Sequence, residues 1–118
     1  MYTISKEFHF SAGHHLDGLA VEHPCSRQHG HNYIVRVFLK STELNEAGFV
    51  RDYRALDVIK NYIDNYLDHK YLNDVLPSNP TAENIARYLF DLFKKSIPEL
   101  YAIEISETPK TNARYEIT

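Results

Sequence analysis

Apolar and polar positions alternate near the start of the chain, which predicts β-strands there. Within residues 2–11 the apolar members of the alternation are Tyr2, Ile4, Phe8 and Phe10. A two-residue period is typical of a strand with one buried face. Residues 32–41 are rich in β-branched and aromatic side chains, so they predict a second strand. The sequence between these strands, residues 12–28, lacks periodicity and is rich in Gly, Pro and His, which indicates a loop.

The same alternation returns near the C-terminal end. Residues 101–108 predict a third strand, with one face formed by Tyr101, Ile103 and Ile105. A linker at residues 109–111 leads to a fourth strand, whose apolar positions are Ala113, Tyr115 and Ile117.

Steps of three and four residues predict two helices in the middle of the chain. The apolar stripe of the first consists of Leu56, Ile59, Ile63 and Leu67. The Pro-containing residues 77–80 break this pattern, and a second helix is predicted from Thr81 to the residue before Pro98. Its apolar stripe consists of Ile85, Leu89, Leu92, Phe93 and Ile97.

The element order is therefore β-β-α-α-β-β, which predicts a single α+β domain over residues 1–118. We expect a four-stranded antiparallel sheet with both helices on one face. The other face and the edges would be uncovered, and aromatic-rich strands such as residues 32–41 make that exposure unfavourable in a monomer. We therefore expect a homo-oligomer.

Composition narrows the classes of partner and compartment. The net charge of −3 does not favour nucleic acid, and no apolar segment is long enough to span a membrane. The N-terminal residues do not resemble a signal peptide. Since the chain has one cysteine, an internal disulfide is excluded, and a reducing cytoplasmic location is expected.

A histidine cluster is the strongest candidate for chemistry. Residues two apart on a strand project to one face, so His29 and His31 can bind one ion. A third ligand, His14 or His15, would leave one position open, as in catalytic zinc sites. A His-x-His pair alone is a weak signal. A closed structural site with Cys25 as the fourth ligand is the alternative.

The remaining candidates are a cysteine, an Asp-His pair and a glutamate. Cys25 lies in the loop beside Arg27 and the histidines, where positive charge favours a reactive thiolate. Asp68 and His69 close the first helix and can form a carboxylate-oriented imidazole that moves protons. Each is also common at a helix end, and Glu107 is equally consistent with a charged strand-end residue.

Five segments together resemble a known family. They are FSAGH (10–14), CSRQHGHNY (25–33), LDHKYLN (67–73), NPTAEN (79–84) and ET (107–108). In this order they resemble the 6-pyruvoyl-tetrahydropterin synthase family, most closely its bacterial 6-carboxytetrahydropterin synthases of the queuosine pathway. The resemblance implies the tunnelling fold, with subunits assembled into trimers or hexamers that share active sites.

The resemblance also implies roles for individual residues. The zinc ligands would be His14, His29 and His31. Proton transfer would fall to Cys25, with Asp68 and His69 reaching the site from a neighbouring subunit. Glu107 would bind the pterin ring, and Thr81 and Glu83 belong to a segment near the pterin pocket. Glu83 is equally consistent with an ordinary first-turn residue. Arg27 and Lys70 are candidates for the triphosphate. His15 stands where many members have arginine.

The resemblance leaves three functions to separate. The first is a zinc-dependent lyase that converts 7,8-dihydroneopterin triphosphate to 6-carboxytetrahydropterin, acetaldehyde and triphosphate. The second eliminates triphosphate only and gives 6-pyruvoyl-tetrahydropterin. The third is a zinc- or pterin-binding module without turnover.

Overall fold

A computed structural model describes residues 1–117 of the chain. Its strands and α-helices follow the order β-β-α-α-β-β. They are β1 (Tyr2–His14), β2 (His29–Ser41), α1 (Asp57–Tyr62), α2 (Ala82–Phe93), β3 (Leu100–Ser106) and β4 (Ala113–Glu116). The strands form one antiparallel sheet in the order β1-β2-β3-β4, with both helices against one face. The predicted α+β architecture is confirmed.

The buried face of the sheet follows the two-residue period of its strands. Every second residue of β2 from Tyr33 to Leu39 is fully buried. On β1, Phe10 pairs with Tyr33 and Phe8 pairs with Val35, and both phenylalanines are buried as well. The stripe predicted for the first helix is also buried: Leu56, Ile59, Ile63 and Leu67. Its last turn, Ile63–Leu67, is a π-helix, and this wider turn keeps Ile63 and Leu67 on the core side.

Element boundaries differ from the prediction where backbone pairing extends the strands. Residues 12–14 pair with residues 29–31, so β1 and β2 are each three residues longer at this end than predicted. At the other end of the chain, β3 stops at Ser106. The helix α2 ends at Phe93, and Ile97 lies beyond it but is still buried.

Three apolar residues of the predicted stripes and strands are not buried. Leu92 is 43% exposed because it lies on the outer side of α2. An irregularity in the pairing of β2 with β3 leaves Tyr101 without a partner. As a result, its hydroxyl donates to Glu116 instead of facing the core. Ile117 lies beyond the end of β4 and is exposed.

The open face of the sheet is polar. Ion pairs join Arg36 to Glu7 and Arg114 to Glu104, and the Arg114 guanidinium covers the half-buried Phe38. We expected an oligomer because aromatic strand residues would be exposed on this face. The exposed side chains of this face are instead mainly polar. Among the helices of residues 1–117, none combines the length and apolar character that crossing a bilayer requires.

Candidate functional site

Strand pairing brings three histidines together at one end of the sheet. His14, the last residue of β1, pairs with His29, the first residue of β2, and Ala12 pairs with His31. Since alternate residues share a face, all three histidines lie on the side that the helices cover. One nitrogen from each lies within 4.8 Å of the others.

Backbone carbonyls orient two of these rings. His14 Nδ1 lies 2.8 Å from the carbonyl oxygen of Pro80, and His29 Nδ1 lies 2.7 Å from that of Arg27. A carbonyl only accepts, so each Nδ1 carries the proton and donates it. In the neutral form of each ring, the lone pair is then on Nε2. These Nε2 atoms face each other at 2.9 Å, an arrangement that a cation between them would stabilise.

His31 completes a donor set that fits a metal ion. Its Nε2 is buried without a hydrogen bond, although Glu107 Oε2 lies 3.0 Å away. Burial lowers the pKa of both His14 and His31, which favours the neutral, ligating form. Three imidazoles match the ligand type and number of a catalytic zinc site. Sequence reasoning left the choice of His14 open until the resemblance was considered. The structure brings His14, His29 and His31 together.

His15 lies outside this cluster. Its ring stacks on Tyr71 and contacts the Tyr71 hydroxyl, and its Nε2 lies 3.2 Å from Asp17 Oδ1. The position follows from the fold, because His14 is the last residue of β1 and His15 begins the loop.

Cys25 lies in a partly buried 3₁₀ turn, Pro24–Ser26. Its carbonyl accepts from the N–H of Leu16, two residues after His14, at 2.8 Å. It is not part of the metal-ligand group. Arg27 follows the turn and contributes its backbone carbonyl to His29, while its side chain is exposed.

Asp68 and His69 form the expected pair, at 2.9 Å between Oδ2 and Nδ1. Asp68 also accepts from the N–H of Ser11, and this bond, with the His69 contact, lowers the pKa of the Asp68 carboxyl. His69 has a φ of 58°, in the left-handed region, and its side chain is 82% exposed. The N–H of His69 donates to Ser11 and the Lys70 carbonyl accepts from Gly13, so this segment continues the sheet beside β1.

Two cavities meet at His31. The first, of about 540 Å³, is lined by residues 11–13, 30–32 and 69–71 together with Gln28, so it includes His69 and Lys70. The second, of about 390 Å³, contains Glu107 and His9. Thr81 and Glu83 line neither. The Thr81 hydroxyl caps α2 by accepting from the N–H of Asn84, and Glu83 is an exposed residue of its first turn.

Sequence reasoning missed two contributors to the metal-ligand group and its surroundings. Pro80 acts through its backbone carbonyl, which no side-chain pattern reveals. Tyr33 ends the CSRQHGHNY motif and has no predicted role in the site, yet its hydroxyl lies 3.2 Å from His14 Nδ1. Burial and the nearby Glu107 carboxylate raise the pKa of Tyr33. The strand period would have pointed to His14, since Phe8, Phe10 and Ala12 share its face.

Fold and site define an α+β protein with three histidines at one end of its sheet that could hold a metal ion. The chain belongs to the 6-pyruvoyl tetrahydropterin synthase family, whose model matches residues 3–118. A Synechocystis protein named 6-carboxy-5,6,7,8-tetrahydropterin synthase is 40% identical over 98% of this chain and 93% of its own length. A Bacillus subtilis protein of the same name is 28% identical over 97% of this chain and 84% of its own length.

Solved structures agree with this assignment. The 6-pyruvoyl tetrahydropterin synthase of Caenorhabditis elegans superposes with a TM-score of 0.85 at 28% identity, covering 99% of this chain and 96% of that one. A Wolinella succinogenes protein described as uncharacterized superposes with a TM-score of 0.86 at 26% identity, covering 99% of this chain and 98% of that one. The fold is therefore the tunnelling fold of this family.

Proposed function

We propose that this chain is a zinc-dependent lyase that converts 7,8-dihydroneopterin triphosphate to 6-carboxytetrahydropterin, acetaldehyde and triphosphate, a step of queuosine biosynthesis. The observation that carries the proposal is the convergence of three histidine nitrogens on one point. The Synechocystis relative, whose name is that of the 6-carboxy enzyme, supports the choice of product.

His14, His29 and His31 would hold the zinc ion. When bound, zinc supplies Lewis acidity to the hydroxyl oxygens of the substrate side chain. The carbonyls of Pro80 and Arg27 keep the first two rings in the ligating tautomer.

Proton transfer is assigned to Cys25, with Asp68 and His69. The Asp68 carboxylate fixes one nitrogen of His69, which leaves the other free to accept or donate a proton. Cys25 lies in the loop that follows the first zinc ligand, and its thiolate form would act as a base on the substrate side chain. Of the three metal-ligand candidates His14 is fully buried, whereas His29 and His31 are half-buried and His31 lines both cavities, from which a substrate could reach it.

Substrate binding is assigned to Glu107 and to two basic side chains, Lys70 and Arg27. The Glu107 carboxylate can accept two N–H bonds from the 2-amino-pyrimidinone edge of a pterin. Its place in a cavity with His31 supports this role. Lys70 lines the neighbouring cavity and is a candidate for the triphosphate, as is the exposed Arg27. A substrate-binding role for Thr81 and Glu83 stays a prediction. In the structure Thr81 caps α2 and Glu83 lies in its first turn.

A second candidate is elimination of triphosphate alone, giving 6-pyruvoyl-tetrahydropterin. A Dictyostelium discoideum protein named 6-pyruvoyl tetrahydrobiopterin synthase is 30% identical over 84% of this chain, which supports it. Zinc-loaded protein incubated with dihydroneopterin triphosphate, followed by mass spectrometry, separates the candidates. Acetaldehyde with the 6-carboxy product supports the lyase. The 6-pyruvoyl product without acetaldehyde supports the second, and no product supports a binding module.

We also propose that the chain acts as a homotrimer or homohexamer with shared sites. The high exposure of His69, on a segment that continues the sheet at the outer side of β1, supports this assembly. Mixing Cys25→Ala and His69→Ala subunits tests it. If each site takes Cys25 and His69 from different subunits, the mixture regains part of the activity that both variants lack. A mixture that stays inactive would contradict sharing. The cytoplasmic location stays a prediction.

A further inference from the structure

Two asparagine side chains hold the loop that follows His14. The amide oxygen of Asn73 accepts from the N–H of His15 at 2.9 Å, and its amide nitrogen donates to the His15 carbonyl at 3.0 Å. Asn79 does the same for Asp17, at 2.9 and 3.1 Å. Each amide thus takes the place of a neighbouring strand and satisfies both backbone groups of one residue.

The residue between these two, Leu16, is bonded on the opposite side. Its N–H donates to the carbonyl of Cys25. Residues 15–17 therefore lie between the two amides and the turn that carries the thiol. A shift of residues 15–17 would move Cys25. It would also displace His14, which directly precedes this segment.

The segment that carries Asn79 also orients His14 directly. Pro80, the next residue, accepts from His14 Nδ1. The Asn79 carbonyl is itself fixed by two donors, the Asn84 side chain at 2.8 Å and the Thr81 N–H at 2.8 Å. The start of α2 is thus connected rigidly to the metal ligand and to the loop.

We infer that Asn73 and Asn79 are positioning residues that set the location of Cys25 relative to the histidine cluster. The inference rests on the proposed function for its purpose, but not for its test. Neither asparagine touches the metal-ligand nitrogens or the thiol. Their effect would pass through the backbone of residues 15–17 and reach Cys25 through the bond from Leu16.

Two readouts that need no turnover test this role. Since Cys25 is the only cysteine, the rate of its alkylation by iodoacetamide reports on the loop alone. The affinity of the protein for Co²⁺, followed by visible absorption, reports on the histidines. In Asn73→Ala and Asn79→Ala we expect alkylation about 10-fold faster, from the loss of two hydrogen bonds. Co²⁺ should bind about 10-fold more weakly, as for other residues that orient metal ligands.

The matched control is Asn45→Ala. Asn45 also fixes a loop by accepting two backbone N–H groups, from Ala47 and Phe49, but it lies in the connection between β2 and α1. Its replacement should lower the melting temperature to a similar degree and leave both readouts unchanged. Asn73→Asp, which keeps the acceptor and loses the donor, should give intermediate values.

The outcomes separate the two proposals. If the asparagine variants lower the melting temperature but leave alkylation and Co²⁺ affinity at the values of the unaltered protein, the positioning role is overturned. If the alanine variants do not fold, Asn73→Asp and Asn79→Asp decide by the same two readouts. Failure of the unaltered protein to bind Co²⁺ or zinc would overturn the proposed function, and the alkylation rates would still decide the role of the asparagines.

Discussion

His14 and His29 face each other across paired positions of β1 and β2, with their Nε2 atoms 2.9 Å apart. Each ring donates its Nδ1 proton to a carbonyl, so two lone pairs meet at one point. Such an arrangement is unfavourable without a cation and favourable with one. The pairing of two strand ends therefore brings together side chains that could hold a metal ion.

Replacement of any one of the three histidines by alanine should remove the metal. We expect about one zinc ion per chain in the unaltered protein and a near-complete loss after dialysis in His14→Ala, His29→Ala and His31→Ala, because two ligands hold zinc weakly. Metal analysis checks this. His9→Ala is the control, since the His9 side chain is 64% exposed and outside the cluster. Zinc retained in His29→Ala would contradict the site.

Replacement of Cys25 by alanine should abolish turnover and leave zinc in place. The loss should be about 100-fold or more in kcat, as expected for a group that transfers protons. Ser26→Ala is a control in the same turn, because its hydroxyl bonds only to the carbonyls of Val21 and His23. Loss of zinc together with activity in Cys25→Ala would instead make the thiol a fourth ligand of a closed site.

Glu107→Gln should retain zinc and weaken substrate binding. Glutamine has a similar shape but lacks the charge that strengthens two N–H bonds from a pterin, so kcat/KM should fall about 10- to 100-fold. Steady-state kinetics with metal analysis checks this. The short distance from Glu107 to His31 allows the opposite outcome, in which zinc is lost. That result would place Glu107 among the metal ligands.

The Asp68 carboxylate should make stability depend on pH. Its folded-state pKa lies below the ordinary value of 3.8, because Ser11 and His69 favour the charged form. The stabilisation is therefore complete well above that value and is lost as the pH falls through the folded-state pKa. The substitution Asp68→Asn should remove this stabilisation, because an amide carries no charge. Urea unfolding of metal-free protein at pH 7 and pH 3 should show a difference between the two proteins that shrinks at low pH. A difference equal at both pH values would contradict this.

Two leucines of α2 should respond differently to truncation. Leu89 is fully buried between α2 and the sheet, whereas Leu92 is 43% exposed. Leu89→Ala should lower the free energy of unfolding by about 2–5 kcal/mol, from lost burial and the cavity that remains. Leu92→Ala should change it by less than about 1 kcal/mol. Denaturant unfolding of the two variants checks this, and equal effects would show that Leu92 is covered in solution, as in an oligomer.

The sequence determined the elements and two of the three histidines of the metal-ligand group. Alternation predicted the strands, and steps of three and four residues predicted the stripe from Leu56 to Leu67, because burial on one face imposes those periods. The same period placed His29 and His31 on one face without any knowledge of the neighbouring strand. Family motifs then indicated His14.

The tertiary structure decided what depends on contacts between distant segments. Pairing of residues 12–14 with residues 29–31 extended both strands, and this placed His14 in the metal-ligand group and His15 outside it. The Pro80 carbonyl accepts from the ring of His14, 66 positions away in the chain. The amides of Asn73 and Asn79 bond backbone groups 58 and 62 positions away, and side-chain periodicity carries no record of such bonds. Periodicity reports which face is buried, whereas the ends of strands and the groups that meet there are fixed only when the chain folds.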